Sequence, residues 1–283
     1  MSTVTVAKKE FEDAVRSRKL MAMTAVFALF TLGGAYAAAR LGEFFAEIGE
    51  EGAQGTLDLV FALQTPASFL VPIIALMVSY KAICGERESG SLKFLLGLPH
   101  TRNDVMFGKV LGRSAVVAAS ILIGFAIGLG GLVAFVGAVS IADYLLFTLV
   151  TMLFGFVYVC LGIGISSMTR STTRAAVGAF GLILFFWIVW SILLQVLLYV
   201  VEDTLIPEQY PDWYIGLASI SPDAAYGSAL GVVLDESALT MANAYGVEDL
   251  PLVAEPWFGF VWLALWAVVP LGLGLWRFGS VDL

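Results

Sequence analysis

Six apolar runs, none containing Asp, Glu, Lys or Arg, constrain this chain more than any other feature: 20–39, 59–80, 114–139, 144–168, 175–201 and 257–276. Each has about 20 residues or more, the length an α-helix needs to cross a hydrocarbon core. The charges between them are unevenly shared. Lys8, Lys9, Arg16, Arg18 and Lys19 precede the first run. Lys81, Arg87, Lys93, Arg102, Lys109 and Arg113 follow the second, Arg170 and Arg174 follow the fourth, and Arg277 follows the sixth. Of the 15 basic residues, all but Arg40 therefore fall on one side of a six-span arrangement. Short basic loops stay in the cytoplasm, so the pattern predicts cytoplasmic termini.

Hydrophobic residues make up 59% of the chain and mean hydropathy is +0.91, which excludes a soluble globular domain. The expected fold is all-α: a polytopic membrane protein with six transmembrane helices, forming one membrane domain over 1–283. An amphipathic helix is expected within 1–19. Val4, Ala7, Phe11, Ala14 and Val15 share its apolar face, and basic residues fill much of the other. The remaining large segments are an inner loop, 81–113, and an outer segment, 202–256. The first run is too long for the core of a cleaved leader and reads as a retained span.

Of the acids, seven lie on the inner side and sixteen on the outer. No outer acidic group has calcium-loop spacing. Dense carboxylates suit a surface that holds water in concentrated salt, as in a halophilic archaeon. The two cysteines, Cys84 and Cys160, allow neither a disulfide framework nor a C-x-x-C metal site, and read as small apolar fillers.

The inner loop is dense in turn and cap signals. Leu92, Leu95 and Leu96 share one helical face, and Gly97 and Pro99 end that helix. Thr101 with Asp104 has capping-box form and starts a second helix leading into the third span. A structured loop with an apolar stripe needs a surface to pack on. In the outer segment, Ser221-Pro222 starts a helix predicted over 222–234, in a stretch apolar enough to dip into the interface. Gly124 and Gly128 form a G-x-x-x-G suited to helix packing. Gln64, Thr65 and Ser68 in the second span, with Gln195 in the fifth, are candidates for a substrate path, although such residues more often bond neighbouring helices.

Several chemistries lack their residues. Gly85 to Gly90 has G-x-x-x-x-G spacing, but Ser91 stands where a P-loop requires Lys. The sole histidine, His100, gives no basis for a zinc site or a Ser–His pair, and no catalytic residue is assigned. A self-sufficient secondary transporter or channel is the alternative reading, and it needs an intramembrane coupling residue that the six runs do not supply.

The run Glu86-Arg87-Glu88-Ser89-Gly90-Ser91-Leu92, then Leu95-Leu96-Gly97-Leu98-Pro99, then Thr101-Arg102 through Gly108-Lys109, resembles the inner loop of ABC-transporter permeases of the type 2 exporter class. The likeness extends over essentially the whole chain: basic tail, six spans, long inner loop after the second, short polar loop after the fourth, helical outer segment. It implies a multi-pass protein of the cell membrane, without nucleic-acid partners. Transport would be outward, on energy from a separate ATPase subunit that binds ATP and Mg, and the charge-free spans suit a lipid-like substrate. This chain would need no cofactor or metal of its own. The resemblance makes Glu86, Arg87, Glu88, Gly90, Ser91, Leu92, Leu95 and Pro99 the docking loop for that ATPase. Phe11 and Arg16 would lie beside it, and Arg170 and Arg174 at a second contact. It also implies a second permease copy, a homodimer, with membrane lipid around it.

Overall fold

A computed structural model describes residues 3–47, 56–92, 101–135, 140–236 and 239–280, and among these no strand occurs. A short helix α1 (Thr3–Val15) opens the chain. The first three spans are α2 (Arg18–Glu47), α3 (Thr56–Ser79) and α5 (Arg102–Phe135), with the short α4 (Cys84–Glu88) before the last of these. Spans four and five are α6 (Ile141–Met168) and α7 (Thr172–Glu202). The outer segment contributes α8 (Asp212–Ala218), α9 (Pro222–Val233) and α10 (Met241–Tyr245), and α11 (Phe258–Ser280) is the sixth span. Six of these helices are long and apolar enough to cross a membrane. Their outward faces carry exposed Leu29, Ile123, Leu149, Val200 and Val268, the composition of helices whose solvent is lipid.

Contacts divide the chain into two compact units, Met1–Val78 with Pro99–Phe156, and Ser79–Leu98 with Val157–Leu283. In the first, α2 lies on α5 at the predicted G-x-x-x-G. A Cβ on Gly124 would stand 2.4 Å from Phe27 Cβ, and one on Gly128 would stand 2.3 Å from Thr31 Cβ. Glycine at both positions lets the helices approach, and the Thr31 hydroxyl donates to the Gly124 carbonyl at 3.0 Å.

The capping box at the start of α5 forms as expected. The Thr101 N–H donates to Asp104 Oδ2 at 3.1 Å, and the Asp104 N–H donates to Thr101 Oγ1 at 3.1 Å. Helix α1 forms too, with Ala7, Phe11 and Ala14 of the expected face half-buried, but the seated side is rotated toward Val6 and Glu10. Val6 is buried over Gly108 of α5, Phe11 is half-buried, and Val4 and Val15 are exposed. The reason is electrostatic. Lys109, only 1% exposed, donates to Glu10, and Arg113 pairs with Glu10 at 3.0 Å. Charges this deep require a partner, and only the face that carries Glu10 supplies one. Burial opposes ionisation of Glu10, yet Arg113 and Lys109 outweigh it and hold its carboxyl below the ordinary value.

We predict that Glu10→Gln, which removes the carboxylate charge from beside Lys109 and Arg113, lowers stability by about 3 kcal/mol. Because the Glu10 value is lowered on folding, its support is complete above the ordinary 4.5 and is lost as pH falls through the folded value. Thermal unfolding in detergent checks this; an unchanged midpoint for the variant at pH 7 would show that the triad adds nothing.

Candidate functional site

Helix α4 begins with backbone N–H groups that its own sequence does not cap, since Ile83 offers no side-chain acceptor. The acceptor comes from the end of α6. Ser166 Oγ takes the N–H of Ile83 at 3.0 Å and that of Cys84 at 3.1 Å. Two further bonds join α4 to the short hinge between α6 and α7. Arg87 Nη1 donates to the Thr169 carbonyl at 3.3 Å, and the Thr172 N–H donates to Glu88 Oε2 at 3.1 Å. The Thr172 hydroxyl and N–H together hold the Glu88 carboxyl below its ordinary value. Finally, the Arg87 guanidinium lies 5.5 Å from the Phe278 ring, which is buried on α11. Gly90, with φ +78°, then turns the chain away from α4, a conformation glycine adopts at little cost.

Residues that the sequence places in two separate contacts are thus one assembly. Glu86 and Arg87 are half-buried, and the Arg87 guanidinium is engaged inside. Leu92 is 1% exposed and belongs to the core. The face left open runs through Glu88, Ser89, Gly90 and Ser91. Arg170 and Arg174 are exposed on the hinge and at the start of α7. Leu95 and Pro99 lie outside the described residues. Phe11 and Arg16 belong to the first unit, where Arg16 is exposed. Sequence reasoning missed Ser166, Thr169, Thr172 and Phe278, whose types are too common to stand out.

Of the candidate substrate-path residues, Ser68 and Gln195 have hydrogen-bond partners within the chain. The Ser68 hydroxyl donates to the Thr65 carbonyl of its own helix at 2.7 Å, Thr65 is exposed and Gln64 half-buried. Gln195 donates to the Leu205 carbonyl and accepts from the Tyr214 hydroxyl at 3.4 Å, tying α7 to the outer segment.

The outer segment goes deeper than an interface. Ser221 caps α9 as predicted, accepting the Ala224 N–H at 3.2 Å, with Pro222 in the first turn. Beside it, Trp187 Nε1 donates to Asp223 Oδ2 at 3.1 Å, and Trp266 Nε1 donates to the Ile220 carbonyl at 2.8 Å. Trp187 lies roughly 20 Å along α7 from Arg174, and Trp266 roughly 16 Å along α11 from Arg277, at about 1.5 Å per residue. Both spans place the start of α9 well inside a core about 30 Å thick. A carboxyl that the sequence assigns to the outer surface therefore re-enters to the depth of the spans. Its second oxygen, Oδ1, has no partner among the described residues. Trp187 sits in a π-helical turn, Phe185–Val189, a departure from α geometry that is frequent at functional sites.

Six apolar helices with a re-entrant outer segment, and a short helix bolted to three span ends, define a multi-pass helical protein of the membrane with a structured loop on its basic side. Comparison with known proteins gives the family. Residues 4–283 match the model for the ABC-2 family transporter protein, and the chain belongs to that family. It is 34% identical over 284 residues to the probable ABC transporter permease protein NosY of Pseudomonas aeruginosa, covering 96% of this chain and 97% of that one. It is 29% identical over 280 residues to the probable ABC transporter permease protein NosY of Stutzerimonas stutzeri, covering 95% and 94%. The protein is a membrane permease subunit of an ABC transporter.

The clamp on α4 has a measurable consequence. Ser166→Ala deprives two α4 N–H groups of their acceptor, at a cost of about 1 kcal/mol. Hydrogen exchange at Ile83 and Cys84 should accelerate several-fold, and unchanged protection would contradict the clamp.

Proposed function

We propose that this permease moves its substrate outward, driven by a separate P-loop ATPase that docks on α4 and the α6–α7 hinge. The observation that carries the reading is the anchoring of α4. Ser166, Thr169, Thr172 and Phe278 connect it to the ends of α6, α7 and α11, so a push on the open edge Glu88–Ser91 reaches three spans at once. Rigid docking of this kind transmits force where a flexible loop would dissipate it.

In this reading the basic side is cytoplasmic, as the distribution of Lys and Arg predicts, and both termini lie there. ATP and Mg are bound by the partner, and this chain contributes no cofactor. Two permease copies, a homodimer, pair with two ATPases. Glu86, Glu88, Gly90, Ser91 and the segment that includes Leu95 and Pro99 form the first contact, with Arg170 and Arg174 flanking a second. The lipid-facing composition of the spans suits an amphipathic or lipid-like substrate.

The test is affinity purification from mild detergent, with ATPase activity assayed in the eluate and partners identified. We predict a co-purifying P-loop ATPase, reduced at least about ten-fold by Glu86→Lys, a loss of roughly 1.4 kcal/mol or more. A permease recovered without any nucleotide-binding partner would overturn the proposal.

A further inference from the structure

Behind the docking edge, four arginines converge on one cavity. Arg87, Met168, Thr169, Arg170, Arg174 and Arg277 line a space of about 410 Å³, within the range of small-ligand clefts. Four of the lining residues are arginines, and among the described residues no Asp or Glu lines it. Arg87 is held in place from two sides, by the Thr169 carbonyl and the Phe278 ring, so one wall is fixed in advance. The start of α7 adds the positive end of a long helix. Like charges that line one cavity repel, and a bound anion lowers that cost.

We propose that this cavity binds the phosphate of an anionic phospholipid from the adjoining leaflet. Guanidinium groups match phosphate in planar, two-pronged fashion. The position favours a lipid over other phosphate carriers. Leu273 stands one turn above Arg277 on the same helical face, and Val177 stands one turn above Arg174; both are exposed, as is Trp276. An apolar wall thus rises from the arginines toward the hydrocarbon, where acyl chains of a seated lipid would lie. Basic pockets between span ends on a cytoplasmic face are where anionic headgroups bind. A lipid here touches α4, the hinge and α11 together, so its presence bears on how firmly the docking helix is joined to the spans. The binding claim is independent of the ATPase reading, because the permease alone suffices to test it.

The experiment uses the purified permease without partner, in neutral-detergent micelles doped with phosphatidylglycerol or phosphatidylcholine, or in buffer with inorganic phosphate. Native mass spectrometry counts retained lipid, and thermal unfolding reports stabilisation. The expected result is retention of phosphatidylglycerol with a raised melting temperature, and binding weakened on the order of ten-fold in Arg174→Gln/Arg277→Gln. Both residues are exposed and neither holds α4, and each single variant serves if the double variant is poorly folded. Lys8→Gln/Lys9→Gln, an equal loss of exposed charge elsewhere, should bind as the unaltered protein does. Equal retention of both lipids, full binding by the arginine variants, or an equal loss in the lysine control would overturn the proposal. Equal stabilisation by inorganic phosphate would assign the cavity to a soluble phosphate compound instead.

Discussion

Two backbone N–H groups and one serine hydroxyl organise the basic side of this protein. The first turn of any helix leaves donors without partners, and α4 is too short to gain much from its own hydrogen bonds. Ser166 supplies the missing acceptor from another helix, so α4 exists as a helix because it is attached. Stability and attachment are the same interaction here. A short helix that folded by itself could detach without losing its shape; this one cannot.

A similar dependence on distant partners governs buried charge. Lys109 is inaccessible, and its cost is offset because Glu10 and Arg113 complete a triad across α1 and α5. The N-terminal helix is thereby fixed by charge as well as by packing, with Val6 as its buried side chain. Asp223 represents the opposite solution. No cation is paired with it among the described contacts, and the Trp187 N–H is its donor. One carboxyl is met by two cations and the other by a neutral indole.

Much of this architecture was legible in the residues. The charge-free runs marked six spans because length and hydropathy are strong, additive signals. Thr101 with Asp104 and Ser221 with Pro222 marked helix starts correctly, since a cap depends on a few neighbouring residues. Gly124 and Gly128 indicated a close helix contact but not its partner, α2. What remained hidden depends on distant pairs. Nothing local distinguishes Ser166 from Ser167, yet only the former meets α4 in the bonds described. Periodicity placed Ala7, Phe11 and Ala14 of α1 on the seated side but centred that side away from Val6 and Glu10. One buried cation, Lys109, far along the sequence from Glu10, turns the helix toward that carboxylate and leaves Val4 and Val15 exposed. The depth of Asp223 was equally invisible, as hydropathy reports composition and not where a short helix turns back.

The π turn in α7 has a consequence for the geometry of that span. Below it, Ala175, Ala179 and Ile183 form the buried stripe; above it, Leu194 and Leu198 do so, packed with Tyr214 and Ile215 of the outer segment. Ile183 and Leu194 are separated by about three whole turns, so an unbroken helix would bring both stripes to nearly one azimuth. The wider turn at Phe185–Val189 offsets them by roughly the 100° that one residue subtends. A single rod of constant pitch serves a single partner. With its phase shifted midway, α7 presents one side to the elements at the basic end and another to the re-entrant segment, and so works as two helices laid end to end.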